Sequence, residues 1–214
     1  MGGITVTLER IKQASLMLFS IHGFDGTSLQ TIAQQVGIQK PSIYTYFTSK
    51  DALYLELLHD SLTQELDFAR QLTKIRSDGA FKEVLFQFLS SFIDRYESEP
   101  SVSYMLKTFL YPPQHLQAPI QDLRNHYIDE LERILFTVFS KEPADQEFYI
   151  SLANSGQYQV VVPLERTKPY PPAESSFAFF MVHLQGLWVE LLRSGAERAY
   201  VRLQRTWPLV SASV

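Results

Sequence analysis

The run TIAQQVGIQKPSIYTYFTSKDAL, residues 31–53, limits the possible fold more than any other stretch. Leu29, Ile32, Ala33 and Val36 keep helical spacing up to Gly37. Ala33 is small enough for another helix to pass close by, and Gly37, four residues on, lets the chain reverse within a few residues. Pro41 then suits the first turn of a third helix, where its fixed φ is helical and its missing N–H costs nothing. Side-chain oxygens stand ready to cap at both ends. Thr27 and Ser28 precede the Leu29 helix, and Thr48 and Ser49 precede the next, with Asp51 as capping-box partner of Thr48. Upstream, Ile11, Ala14, Leu18 and Ile21 follow 3, 4, 3 spacing and predict a helix over about residues 7–22, stopped by Gly23. Four helices therefore begin within about fifty residues.

Beyond residue 50 the periodicity stays helical and the helices lengthen. One runs from Ala52 to about Arg70, and a second carries Phe81, Val84, Leu85, Phe88, Leu89, Phe92 and Tyr96 and is closed by Pro100. A shorter helix is predicted over 101–111, ended by Pro112 and Pro113. A long one follows with Leu123, Tyr127, Leu131, Ile134 and Val138 on one face. Residues 143–176 break the pattern with four prolines between 163 and 172, an NSG turn and the β-rich QYQVVV, and read as a long irregular loop with a candidate short hairpin. Helical spacing returns for 175–193 and 196–209, with Gly195 between. The chain is thus expected to be all-α with about nine helices. The expected division is a three-helix head at 1–50 and a larger helical body at 51–214.

With 45% hydrophobic and 20% charged residues, a packed core is available. The absence of cysteine removes disulfides, thiolate nucleophiles and cysteine zinc sites. The N-terminus lacks a basic stretch followed by an apolar run, and Phe177 to Leu192, the most apolar long segment, contains His183, Gln185 and Glu190. A soluble, cytoplasmic protein is expected. Catalysis finds no support in the motifs: the five histidines show no i, i+4 pair, and no HExxH, G-x-S-x-G or glycine-rich phosphate loop occurs. No catalytic residue, metal ligand or cofactor is assigned.

The net charge of -4 opposes nucleic acid as a partner, but its distribution does not. Residues 1–50 hold Arg10, Lys12, Lys40 and Lys50 against Glu9 and Asp25. With Ile38 and Ile43 spaced to plug the helix crossing, Gln39, Lys40, Ser42, Tyr44, Thr45 and Tyr46 are left to face outward. Hydroxyls and a lysine on a short helix suit phosphates, and Gln39 or Lys40 has the reach for a base edge in the major groove. Phe47 is assigned to packing.

The combination F-x3-GF-x2-T, A-x3-G and Y-x-YF-x2-K, carried by Phe19, Gly23, Phe24, Thr27, Ala33, Gly37, Tyr44, Tyr46, Phe47 and Lys50, resembles the N-terminal domain of TetR-family transcriptional regulators over about residues 8–54. The resemblance implies that Thr27 and Ser28 meet phosphate at the start of the second helix. It further implies that Gln39, Lys40, Pro41, Ser42, Tyr44, Thr45 and Tyr46 form the recognition surface and that Lys50 touches the DNA backbone. For the body it implies an effector pocket within helices spanning 50–140 and a homodimer through the last two helices. Phe88, Tyr104, Phe109 and Tyr127 are the candidate pocket wall, with Lys107, Arg124 and His126 as candidate polar contacts.

The function so implied is a DNA-binding repressor released from a palindromic operator by a small, largely apolar or aromatic ligand. Two alternatives stay open on the sequence. One is a DNA-binding interaction protein of the same fold without a small-molecule inducer. The other is a helical sensor or adaptor that does not bind DNA.

Overall fold

The computed structural model describes residues 2–74, 81–139 and 172–213; the side chains of 2–6, 81, 138–139, 172–175 and 213 are left out of the description. Its described residues form α1 (Gly2–His22), α2 (Leu29–Val36), α3 (Lys40–Ile43), α4 (Lys50–Lys74), α5 (Phe81–Ser98), α6 (Pro100–Leu110), a 3-10 turn (Gln114–Leu116), α7 (Gln117–Phe139) and α8 (Pro172–Ser213). Helix α8 is broken at Gly195 (φ 79, ψ 174), which divides it into arms at 172–194 and 196–213. With that break the helices among the described residues number nine, and none of those residues is in a strand.

Two compact units emerge, one of residues 1–65 and 95–125, the other of 66–94 and 126–214. In the first, Phe19, Phe24, Tyr54 and Tyr104 form an aromatic core. Tyr54 lies edge-on to Phe19 at 4.9 Å, to Phe24 at 5.1 Å and to Tyr104 at 5.0 Å. Such edge-to-face pairs contribute about 0.5–1.5 kcal/mol each beyond the area they bury. The two tyrosine hydroxyls are satisfied within the same core: Tyr104 donates to the Tyr54 carbonyl at 2.6 Å, and Tyr54 pairs with Thr108 Oγ1 at 2.8 Å. Burial raises both hydroxyl pKa values, so both remain neutral. Glu65, also buried, is held by the Arg95 guanidinium through both carboxylate oxygens, at 2.5 and 2.8 Å. In the second unit Trp188 lies 5.7 Å from Phe92 and 6.3 Å from Tyr127, and Phe86 meets Trp207 at 5.2 Å.

Several boundaries differ from the sequence reading, each for a local reason. Helix α1 begins at Gly2 rather than near 7, and its buried stripe is Ile11, Ser15 and Phe19, while Ile21 is 64% exposed. The 3, 4, 3 apolar series was offset from the true face because a serine occupies its centre. Ser15 is fully buried and its hydroxyl has no hydrogen-bond partner. Ser49, not Thr48, caps α4, accepting from the Ala52 N–H at 3.0 Å. Pro100 begins α6 as a first-turn residue after α5 has already ended at Ser98. Helix α8 starts at Pro172, so the irregular segment expected over 143–176 is helical from that residue on. The rest of that segment, from 143 to 171, with its candidate hairpin, lies outside the described residues.

Candidate nucleic-acid interface

Helix α2 is fixed at both ends by local chemistry. Ser28, in extended backbone, accepts the Thr31 N–H at 3.0 Å and pairs with the Thr31 hydroxyl at 2.8 Å. At the other end Gly37 is left-handed, at φ 77. Its N–H donates to Gln34 O at 3.2 Å, and the Ile38 N–H reaches back to Ala33 O at 3.0 Å. This is the 5→2 and 6→1 closure that glycine permits, since a Cβ in that conformation would strain the turn. Arg10 of α1 adds an outside clamp, donating to Val36 O at 2.7 Å. Leu29, Ile32, Ala33, Val36 and Ile43 are buried, so the corner between α2 and α3 is held by a small apolar core.

That corner sets the aspect of α3. Gln39 precedes it in extended backbone with no side-chain cap bond, and Pro41 occupies its first turn. The helix is only four residues long, after which Tyr44, Thr45 and Tyr46 wind on through bonds to Pro41, Ser42 and Ile43 carbonyls at 3.2, 3.4 and 2.9 Å. Gln39, Lys40, Pro41, Tyr44 and Thr45 are exposed, and Ser42 and Tyr46 are half-buried. Tyr44 shows 51% of its surface, while Phe47 is buried. Seven residues named for recognition are therefore gathered on one short element and its exit turn.

Two of the expected contacts are placed differently. Thr27 is 1% exposed, so the pair at the start of α2 presents Ser28 alone to solvent. The Thr27 hydroxyl is enclosed without a hydrogen-bond partner. Lys50 turns inward: its ammonium donates to Phe24 O at 2.9 Å and Thr27 O at 3.1 Å and lies 3.7 Å from the centre of the Phe24 ring. The Lys50 arrangement could not be read from the sequence, because its partners lie 23 and 26 residues away.

The basic head is also less basic in effect than in count. Lys12 is paired with Glu56 at 2.7 Å and Asp60 at 2.8 Å, and those partners raise its pKa against the lowering effect of burial, which is the largest single influence. Arg10 is engaged at Val36 and Lys50 at the α1–α2 loop. Of the four cationic side chains in residues 1–50, Lys40 is the exposed one that has no ion-pair or hydrogen-bond partner among the described residues. Behind this surface, α6 is tied to α1 by Lys107, which donates to Ser20 O. The 3-10 turn is tied to α4 by His115, 3.3 Å from Asp51 and edge-on to Phe24 at 5.2 Å.

The residues named for effector binding fall into both units. Tyr104, Lys107, Phe109 and Arg124 belong to the first, and Phe88, His126 and Tyr127 to the second. Phe88, Tyr104, Phe109 and Tyr127 are buried, and Arg124 is half-buried and His126 exposed. Tyr104 and Lys107 commit their polar atoms to backbone carbonyls of Tyr54 and Ser20. A groove of about 520 Å³ lies along α8, lined by Glu190, Ser194, Glu197, Arg198, Val201, Arg202 and Arg205. It is charged and open, which is the opposite of an apolar effector cavity. Among the described residues no cluster of three or more His, Asp or Glu could hold a metal ion, and no helix is long and apolar enough to cross a membrane.

A short, polar, exposed helix set on a glycine-closed corner defines a helix-turn-helix DNA-binding module. Residues 11–57 match the family described as bacterial regulatory proteins, tetR family. The chain carries, at residues 11–57, the DNA-binding domain of the tetR family of bacterial regulatory proteins. It is 26% identical over 150 residues to the biofilm operon icaADBC HTH-type negative transcriptional regulator IcaR of Staphylococcus epidermidis, covering 67% of this chain and 76% of that protein. To IcaR of Staphylococcus aureus (strain Newman) it is 31% identical over 91 residues, 41% of this chain and 48% of that one, so this match spans about half of the relative. The fold is shared with the transcriptional regulator FadR from Bacillus subtilis, solved in complex with stearoyl-CoA. That similarity has a TM-score of 0.63 at 14% identity and covers 97% of this chain and 99% of that one.

Proposed function

We propose that this regulator is a homodimeric repressor that holds a palindromic operator through two copies of the α3 surface and is released by a small, largely apolar or aromatic effector. The observation that carries the DNA half is the exposed row Gln39, Lys40, Pro41, Tyr44 and Thr45, with Ser42 and Tyr46 beside it and Ser28 at the start of α2. Phosphate contacts from hydroxyls, Lys40 and backbone N–H groups would position the head, and Gln39 and Lys40 would read base edges. Repression rather than activation is favoured by the relatives, which are negative regulators. An apolar effector is favoured by the acyl-CoA carried by a protein of the same fold.

Dimer formation through α8 is supported by its exposed apolar side chains. Phe179, Val182, Val189, Tyr200, Val201 and Leu209 are between 37% and 69% exposed in the single chain. Apolar surface of that extent on one helix is characteristic of an interface. A two-fold axis there would match a two-fold operator. Effector release requires the ligand to prefer the conformation that does not bind DNA, and couplings of about 1–3 kcal/mol weaken operator binding roughly five- to 150-fold. The division of labour proposed is a DNA-binding head at 1–50 and an effector and dimer body at 51–214. The test is titration of an operator-bearing duplex with purified protein, with and without long-chain acyl-CoA and aromatic candidates. Loss of duplex binding on addition of one such compound supports the reading.

A further inference from the structure

We infer that the first arm of α8 meets its own copy in an antiparallel crossing at Gly186, with the second arm left at the rim; the inference rests on the homodimer reading above and says which surface makes the pair. The first arm is apolar on two sides. One side, with Phe177, Phe180, Leu184, Leu187 and Leu191, is buried in the chain's own core. The other, with Phe179, Val182, Gly186, Val189 and Arg193, is exposed and follows 3, 4, 3, 4 spacing. That spacing is the seam of a helix that packs along another helix. Phe179 is 44%, Val182 69% and Val189 40% exposed in the single chain. From Ser176 to Val189 there is no Asp, Glu, Lys or Arg. A helix apolar all round is one that is covered all round.

The seam is arranged to receive itself. It is nearly symmetric about its centre, so an antiparallel copy sets Val182 against Val189 of the partner subunit, and the two-fold axis repeats that contact in reverse. Gly186 lies at the centre, where the two backbones come closest. A Cβ there would meet nothing within 4 Å among the described residues, so the chain's own packing does not require glycine, and glycine weakens a helix interior relative to alanine. A second helix crossing at that point supplies the reason for it. In a parallel pair Arg193 would face its own copy. The antiparallel pair sets it beside Phe179 of the partner subunit, whose ring can take a guanidinium on its face. The second arm does not fit the axis on these terms. Its exposed face carries Arg198, Arg202 and Arg205, and a two-fold crossing there would set Arg198 against Arg205 of the partner subunit, like charge on like.

The chain has no cysteine, so disulfide trapping can be done without background. The full chain carrying Val182→Cys and Val189→Cys together would be oxidised mildly and run without reductant, beside each single variant and Val201→Cys on the second arm. Positions 182 and 189 lie about 10 Å apart along one helix, too far for a bond within the chain. In the antiparallel pair each cysteine also stands about 10 Å from its own copy along the axis, so the double variant is expected to crosslink and the single variants are not. Sedimentation velocity gives the second readout. Gly186→Leu is expected to weaken association about tenfold or more with helix content unchanged by circular dichroism, and Gly186→Ala to weaken it less. Crosslinking of Val182→Cys alone, which marks a parallel pair, or of Val201→Cys, which puts the second arm on the axis, overturns the proposal. So does a Gly186→Leu dimer as tight as wild type. A wild-type chain that sediments as a monomer overturns the homodimer reading as well, whereas a wild-type dimer that fails only the cysteine and glycine tests leaves that reading standing.

Discussion

The corner formed by α2 and α3 and the long helix α8 solve opposite surface problems. At the corner the large apolar side chains are buried apart from the half-buried Ile38 and Tyr46 and the exposed Tyr44, and what else is shown is hydroxyl, amide and ammonium. On α8 the exposed face includes Phe179, Val182, Val189, Val201 and Leu209 beside Arg198, Arg202 and Arg205. Polar groups that remain hydrated cost little when alone and gain when an anion arrives. Exposed apolar groups cost solvation free energy until another apolar surface covers them. The contrast is what the proposed function asks for: a charged, hydrated polymer against the first surface and a second protein chain against the second.

Placing a charge on the apolar face should break the comparison most severely. Val182→Glu, at a side chain 69% exposed in the single chain, should leave the monomer's fold intact and cost about 2 kcal/mol or more of association, roughly thirtyfold. Sedimentation velocity checks it: a dimer that persists at wild-type concentrations would remove α8 as the interface. On the polar side, Lys40→Ala combined with Tyr44→Ala should weaken duplex binding by about 2 kcal/mol without altering the dimer. Unchanged affinity in that double variant would mean that the exposed row is not the recognition surface.

A smaller effect is expected at Ser28. Loss of its cap in Ser28→Ala should lower the stability of the fold by about 1 kcal/mol, read by denaturant unfolding, because the Thr31 N–H loses its acceptor. The smallest effect is on α8. His183, which pairs with Thr206 at 3.2 Å, has its pKa lowered from 6.5 by burial. A depressed histidine favours folding above its unfolded pKa of about 6.5, and that contribution is lost as pH falls through the lower folded value. Mild acid should thus destabilise wild type slightly more than His183→Gln, whose side chain does not titrate. Parallel pH profiles for the two proteins would contradict this.

The sequence made the architecture legible where one residue type has one physical use. Gly37 and Gly195 mark the turn and the break, Pro41 begins α3, and the apolar spacing of 29–36 gives the buried face of α2. It misled where a polar residue took an apolar place. Ser15, fully buried at the centre of α1, shifted the apparent stripe toward Ile21. The candidate interface was legible as a set of residue types but not as a set of orientations. Thr27 and Lys50 carry phosphate-binding chemistry, yet contacts to carbonyls 23 and 26 residues away turn the lysine inward, and Thr27 itself is buried. Effector residues were the least legible, because a cavity depends on packing between helices, and aromatic spacing reads the same for a wall as for a core.

The most direct test of the central claim is binding of the purified chain to the duplex upstream of its own gene against a scrambled duplex of equal length, at several salt concentrations. Preference for the upstream duplex, with a salt slope reduced by about 0.9 per head in Lys40→Ala, is the predicted result. Equal binding to both duplexes, with no dependence on Lys40, would contradict the assignment of the α2–α3 corner as an operator-reading surface.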